Sequence, residues 1–384
     1  MPERAGKSTG RPRRYDHYTR PEHRYAIRGF FNRNPELIPY FTQRWVDTLV
    51  SPVISREQVT PLFWALVHPA SQERLVEALR YLAKQHSIRR VVSDLKSLDE
   101  DNVAAVLSEL EMYRMLRVLH EDAQWKPGEG RGKRSADLVF GMREGRRVVV
   151  EVLAIRRSKK CREEDLALDE IQLFMDGLGH RYSIDYELKS SLSIRHVDAC
   201  CAFLRDRLRR LGERRMGGES HADFVVGGKL VLRFRFKRTT EKGRWVAGMH
   251  DVTQREEGGR IKQKLFGKLD KFQLPRGGEE LKGYVLVLDE RSHDAEDVRS
   301  AVVGRMGVTV RKSGGEPEMV WIRQNDGDVH DPIRGRLLTE EVDFIASMTR
   351  SGGMFLKPLD MLVNGDLRRV TRDDACRLLW GSLP

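Results

Sequence analysis

Three acidic residues stand in segments that the sequence otherwise predicts to be buried. Glu151 interrupts a continuous apolar run, Asp137 opens the apolar run before it, and Glu109 lies near the apolar side of a helix predicted over 101–120. Acids are seldom buried unless a metal ion or an opposite charge accompanies them. Two or three carboxylates with water suit Mg²⁺, which can generate hydroxide and neutralise charge that develops on phosphate. This pattern predicts metal-assisted phosphodiester cleavage with Asp137 and Glu151 as ligands.

A hairpin is the element that must position the two strand acids. The runs 136–142 and 147–155 read as strands, and the turn at 143–146 joins them as antiparallel neighbours. A lysine-rich helix predicted over 258–273 then leads to a buried strand at 283–289, which we expect beside the hairpin in the same sheet. The structural alternative for the two acids is a salt bridge to an arginine, or an ordinary acid at a strand start or turn.

The segments that carry the acids resemble the motifs of a known superfamily. Three of them are similar to the PD-(D/E)xK restriction-endonuclease-like proteins, namely Ser108-Glu109-Leu110 in a helix and Ser135-Ala136-Asp137-Leu138-Val139 and Val149-Val150-Glu151-Val152-Leu153 in strands. The resemblance covers residues 101–155 and, beyond them, the helix and strand of 258–289.

The resemblance implies both a fold and an activity. The expected fold is α/β, with a restriction-endonuclease-like mixed-sheet core, a helical N-terminal region and a long insertion. In the family, the motif acids bind Mg²⁺, and a lysine two residues after the second acid orients or activates the attacking water. Carried over, Asp137 and Glu151 are the metal ligands and Glu109 is the assisting acid on the helix.

The motif lysine is missing from this chain. Leu153 occupies its position, and Ala136 stands where the family has proline. One explanation is relocation, because Lys264, Lys268 and Lys271 form a stripe on the predicted helix, and Lys268 borders its apolar side. Lys268 or Lys264 would then be the replacement. The other explanation is an inactive site whose fold survives as a binding or scaffold module, and the lysine stripe taken alone also fits a solvated helix face.

The net charge predicts a polyanionic partner. Lysine plus arginine number 69 against 57 aspartates plus glutamates, which gives a net charge of +12. Such a balance favours nucleic acid first, here DNA ahead of RNA, and an anionic membrane second, and composition does not separate these two; protein partners in a larger assembly are a further expectation. The residues predicted to contact nucleic acid are Arg11, Arg13, Arg14 and Arg20 near the N-terminus, and Arg233 and Arg235 on the outer face of a strand.

Composition shifts along the chain suggest four regions. Residues 1–34 read as a flexible basic arm, and residues 35–97 as a helical N-terminal region. Residues 98–305 read as the nuclease-like α/β core, with an insertion at about 157–256, and residues 306–384 as a C-terminal α/β region.

Cysteine content and hydropathy bear on location. The chain has 4 cysteines and no CxxC pair, which predicts free thiols in a reducing compartment and excludes a cysteine-rich zinc module. No apolar run approaches the ~20 residues of a membrane span, and the N-terminus has no apolar signal segment. We therefore expect a cytoplasmic protein without a membrane partner.

Overall fold

The structure of the protein, a computed structural model, contains two compact units. The first consists of residues 1–156 and 261–384, and the second of residues 157–260. The residues that the structure describes are 17–84, 88–126, 136–141, 147–156, 159–178, 182–213, 220–239, 245–247, 254–269, 280–289, 295–304, 306–311, 318–324, 342–351 and 354–363, with the separate positions 326, 327, 330, 333, 338, 377 and 379.

Helices and strands alternate in a mixed α/β order. The helices are α1 (Pro21–Arg33), α2 (Ile38–Phe41), α3 (Gln43–Leu49), α4 (Pro61–Val67), α5 (Pro69–Ala83), α6 (Ile88–Leu95), α7 (Glu100–Leu119), α8 (Lys159–Gly177), α9 (Val197–Glu213), α10 (Gln254–Leu269) and α11 (Ala295–Val302). The strands are β1 (His17–Tyr18), β2 (Val53–Ile54), β3 (Gln124–Trp125), β4 (Leu138–Gly141), β5 (Arg147–Ile155), β6 (Tyr182–Leu188), β7 (Ser220–Val226), β8 (Lys229–Arg238), β9 (Trp245–Ala247), β10 (Glu280–Asp289), β11 (Met306–Arg311), β12 (Glu318–Arg323), β13 (Phe344–Ser351) and β14 (Phe355–Val363). Short turns of 3-10 helix occur at Pro35–Leu37, Arg56–Gln58 and Ile194–His196.

A six-stranded sheet forms the centre of the first unit. Its strand order is β14-β13-β10-β5-β4-β3. β4 and β5 are antiparallel, with Leu138 opposite Val150, and β10 runs parallel to β5, with Tyr284 beside Glu151. The predicted hairpin, and the predicted place of strand 283–289 beside it, are therefore confirmed.

Both faces of this sheet are covered, which explains the continuous apolar run of β5. Val148, Val150 and Val152 are buried in a core that they share with residues of α1–α7. Val149 and Leu153 are buried in a second core, to which α10 and α11 contribute. Since side chains alternate along a strand, Glu151 belongs to the face that α10 covers.

The prediction of a flexible arm over residues 1–34 is wrong for its second half. α1 spans Pro21–Arg33 and buries Ile27, Phe30 and Phe31 in the main core. The sequence read alone treats Pro21 as a break in regular structure, but proline is favoured in the first turn of a helix. Residues 1–16, with the predicted contacts Arg11, Arg13 and Arg14, lie outside the described part of the chain.

The packing joins two of the predicted regions to the central sheet. Residues of 35–97 contain α2–α6 and share one core with the sheet. β13 pairs parallel with β10, and β14 pairs antiparallel with β13, so these two strands belong to the central sheet, whereas β11 and β12 form a separate two-stranded sheet. The physical reason is that β10, a buried strand, needs a hydrogen-bonding neighbour on each side.

The second unit has its own sheet and core. The strand order is β7-β8-β6-β9, and α8 and α9 bury their apolar sides together with these strands. Among the described residues, no helix has the length and apolar character to cross a bilayer.

Candidate functional site

The hairpin brings Asp137 and Glu151 together inside the protein. Asp137 directly precedes β4, and Glu151 lies in the middle of β5. Their exposed fractions are 2% and 0%. The backbone N–H of Val152 donates a hydrogen bond to Oδ2 of Asp137 over 3.1 Å, which ties the first acid to the strand that carries the second. Two carboxylates at this depth require a counter-charge.

Lys268 of α10 supplies that charge. Its Nζ lies 3.3 Å from Oε2 of Glu151 and 3.5 Å from Oδ2 of Asp137. Ile261 and Leu265 on the same helix are buried in the core beside the sheet, which fixes the position from which Lys268 extends. The two acids thus converge on one ammonium group.

The other lysine candidate makes a different contact. Lys264, one turn earlier on α10, donates a hydrogen bond to the backbone carbonyl of Ala154. Leu153, at the position of the motif lysine, is buried in the same core as Ile261. Lys268 is therefore the lysine that the structure places between the two acids.

Glu109 belongs electrostatically to the same site. It lies on α7, is 5% exposed, and its Oε2 is 2.9 Å from Nζ of Lys126. Burial raises the pKa of Glu109 to about 7, the negative charge of Asp137 adds to this rise, and the charges of Lys126 and Lys268 oppose it. The carboxyl group is thus poised to exchange a proton near neutral pH.

Lys126 is a site residue that the sequence does not reveal. It follows β3 directly, and its backbone N–H donates to the carbonyl oxygen of Asp137 over 2.8 Å. Its φ of 41° lies in the left-handed region, which is strained for a lysine. Its Nζ also lies 5.4 Å from the ring centroid of Trp125. In the sequence Lys126 begins a turn-rich stretch, and neither its spacing from other residues nor a motif identifies it as a site residue.

The donors of this site fit a hard cation with few protein ligands. Among the described residues, no group of three or more histidine, cysteine, aspartate or glutamate side chains is arranged to hold a metal ion. Asp137 and Glu151 nevertheless offer oxygen donors, and the position of the Lys268 ammonium shows that positive charge is accommodated between them. Mg²⁺ commonly takes one or two carboxylates and completes its shell with water.

The residues predicted to contact nucleic acid differ in their surroundings. Arg20 is exposed at the start of α1. On β8, Arg233 pairs with Asp223 of β7 and Arg235 with Asp185 of β6, each with a 2.9 Å contact from Nε. The sequence predicts a basic outer face for β8, whereas the structure shows that carboxylates of the neighbouring strands neutralise it.

Known proteins give no information on the role of this site, which must be inferred from its geometry. The chain matches no protein-family model, and neither a curated protein nor a solved structure is significantly similar to it.

Proposed function

We propose that this protein binds nucleic acid and cleaves phosphodiester bonds with Mg²⁺ held by Asp137 and Glu151. The observation that carries the proposal is the position of Lys268, whose Nζ lies 3.3 Å from Glu151 and 3.5 Å from Asp137. An ammonium beside two converging carboxylates is what the PD-(D/E)xK motif lysine supplies from the strand. In this chain the same group comes from α10.

The order of the elements supports a restriction-endonuclease-like core. α7, the β4–β5 hairpin, α10 and β10 follow one another along the chain, and the second unit begins after β5 and ends within α10, at residue 260. β10 is parallel to the strand that carries the second acid. This is the helix–hairpin–helix–strand order of the sequence resemblance, and it brings one acid of each hairpin strand to the lysine of the second helix.

Each residue has a role that follows from its contacts. Asp137 and Glu151 provide oxygen ligands, and a bound Mg²⁺ supplies Lewis-acid activation of water and positive charge for the phosphate. Lys268 donates hydrogen bonds from its ammonium, which orients an attacking water beside Glu151. Lys126 holds the carboxylate of Glu109 through the 2.9 Å ion pair, so that Glu109 stays directed at the acidic cluster.

The deciding experiment is a cleavage assay on the purified full chain. Single- and double-stranded DNA and RNA are incubated with the protein and Mg²⁺, Mn²⁺ or EDTA, and Glu151→Gln serves as the matched inactive variant. We expect cleavage of at least one substrate, dependent on the metal and lost in the variant. Absence of metal-dependent cleavage from every substrate contradicts the proposed chemistry.

A catalytically inactive binding or scaffold module is the second candidate function. The observation that favours it is the same ammonium, because Lys268 already provides both buried acids with the counter-charge that they need in the absence of a metal. Thermal unfolding with and without millimolar Mg²⁺ separates the two functions. An inactive module shows the same melting temperature in both conditions, whereas a metal site is stabilised by its ion.

A further inference from the structure

Helix α1 carries a basic and aromatic face that the acidic site does not use. Arg28 and the half-buried Arg24 lie one turn apart along one edge of the helix, and Arg20 is the capping residue just before it. Tyr25 lies beside them and is 71% exposed, which is high for a tyrosine whose ring is normally half-covered. Arg20 and Arg28 are exposed as well.

These arginines differ from other arginines of the fold in their lack of carboxylate partners. Within the described residues, no carboxylate forms an ion pair with Arg20, Arg24 or Arg28. Elsewhere, Arg80 of α5 pairs with Glu36 at 2.9 Å, and the arginines of β8 are paired across their sheet. Glu22 on the same helix and Asp47, which lines one pocket with Arg28, lie nearby, but guanidinium groups outside an ion pair keep their hydrogen-bond donors available to an external anion.

The face is presented by a fixed element. α1 buries Ile27, Phe30 and Phe31 in the main core. Just before the helix, β1 pairs with β2, and the N–H of Thr19 donates to the carbonyl of Pro52 over 3.0 Å. The arginines and the tyrosine therefore keep a constant spacing, which lowers the entropy that binding must overcome.

We propose that this face binds single-stranded nucleic acid, with the arginines at phosphates and Tyr25 stacked on a base. Proteins commonly bind single-stranded nucleic acid through basic side chains that contact phosphates and exposed aromatic rings that stack on bases. The inference takes its ligand class from the proposed function but requires no cleavage.

An anionic membrane is the other polyanion that a basic helix can bind, but the residues of this face do not fit membrane binding. A helix that lies in a bilayer inserts leucine, phenylalanine or tryptophan on the face opposite to its basic residues. The apolar side of α1 is instead occupied by the protein core. Its exposed positions are Pro21, Glu22, Tyr25, Arg28, Asn32 and Arg33, together with the capping residue Arg20.

Anisotropy of a labelled single-stranded oligonucleotide tests the surface, with the full chain in EDTA and a titration of NaCl. In the double variant Arg20→Ala/Arg28→Ala, the slope of log K against log salt should fall by about 0.7 for each phosphate that is no longer neutralised. Tyr25→Ala should weaken binding by about tenfold with little change in slope, because stacking is not ionic. The matched control is Arg80→Ala, which removes an exposed but paired arginine and should change neither quantity. Thermal unfolding of each variant establishes that it is folded.

Three results overturn the inference. The first is an affinity and salt slope of the α1 variants equal to those of the wild type. The others are tighter binding to duplex than to single-stranded oligonucleotide, and tighter binding to phosphatidylserine vesicles than to the oligonucleotide. The outcome is independent of the cleavage assay. If the salt slope falls in the α1 variants but no metal-dependent cleavage occurs, the α1 binding surface is supported and the proposed cleavage chemistry is rejected. If cleavage occurs but the slope is unchanged, the cleavage chemistry is supported and the α1 surface is rejected.

Discussion

Nζ of Lys268 lies 3.3 Å from Oε2 of Glu151, although 117 positions of sequence separate the two residues. The contact joins a helix to the centre of a sheet and places a positive charge where two buried acids meet. This ion pair is weak evidence for stability, because the carboxylate of Glu151 loses its hydration completely and the half-buried Lys268 loses part of its own. Its presence next to a second carboxylate therefore favours a functional explanation.

Replacing Lys268 by methionine should reduce cleavage by about 100-fold or more, since the variant loses the ammonium that orients water. The two acids also lose their counter-charge, so the variant should gain more thermal stability from Mg²⁺ than the wild type does. The control is Lys262→Met on the same helix, whose ammonium donates to the carbonyl of Asp326 over 2.6 Å. Equal rates in the two variants would remove Lys268 from the mechanism.

Replacing Glu151 by alanine should abolish cleavage while nucleic-acid binding stays equal or becomes tighter. The reason is that the change removes a negative charge from a site that receives a polyanion. Cleavage and anisotropy measured on one preparation check both parts. A parallel loss of binding and cleavage, in a variant that melts like the wild type, would contradict the assigned role.

The raised pKa of Glu109 predicts a pH-dependent stability. The unfolded carboxyl ionises near its ordinary value of 4.5 and the folded one near 7, so the folded state holds the additional proton between these values. Rising pH therefore lowers the free energy of unfolding of the wild type relative to Glu109→Gln, by at most about 3 kcal/mol across this window. Urea titrations of both proteins at about pH 5 and pH 8 measure the difference.

Glu36→Gln is the control for that measurement. Glu36 is exposed, and its hydrogen bond with Arg80 lowers its pKa below the ordinary 4.5. The stability that this hydrogen bond provides is therefore fully present above pH 4.5 and is lost only when the pH falls through the lowered pKa. The stability difference for this variant should stay constant between the two pH values. A constant difference for Glu109→Gln as well shows that Glu109 ionises normally.

The strained backbone at Lys126 predicts two variants that differ in stability but have the same activity. Lys126→Ala loses the ion pair with Glu109 but keeps the φ of 41°, whereas Lys126→Gly loses the same pair and relieves the strain. The glycine variant should be more stable than the alanine variant by about 1 kcal/mol, and both should have the same reduced activity. If the alanine variant is the more stable, the lysine conformation is unstrained.

Gly283 of β10 should tolerate no side chain. A Cβ at this position would lie 2.1 Å from the ring of Phe344, its neighbour on β13. Gly283→Ala should destabilise the protein by about 1–3 kcal/mol, because the sheet must shift to make room. Denaturant unfolding measures the loss, and Gly267→Ala on α10, which meets nothing within 4 Å, is the control.

The central strands are predictable from the sequence because local patterns encode them. The apolar runs and the turn at 143–146 specify the hairpin, and the buried run at 283–289 specifies its parallel neighbour. The position of Lys268 follows from helical periodicity, which places it at the border of an apolar side that must face the sheet.

The remaining features depend on distant contacts. The carboxylates opposite Arg233 and Arg235 become visible only when the strand register is known. Pro21 reads equally as a chain break and as the first turn of a helix, and burial of the apolar side of α1 decides between them. Lys126 contacts Glu109 through a backbone conformation that no residue pattern specifies.

The second unit begins after β5 and ends within α10, and this position in the sequence affects how the chain folds during synthesis. Both strand acids leave the ribosome before the inserted residues, and Lys268 follows Glu151 by 117 positions. At 5–20 residues per second this is a delay of roughly 6 to 23 s. During that time the nascent hairpin carries two carboxylates without their ammonium, so burying it early is unfavourable. Residues 157–260 have their own core and can fold first, which shortens the effective loop that Lys268 must close.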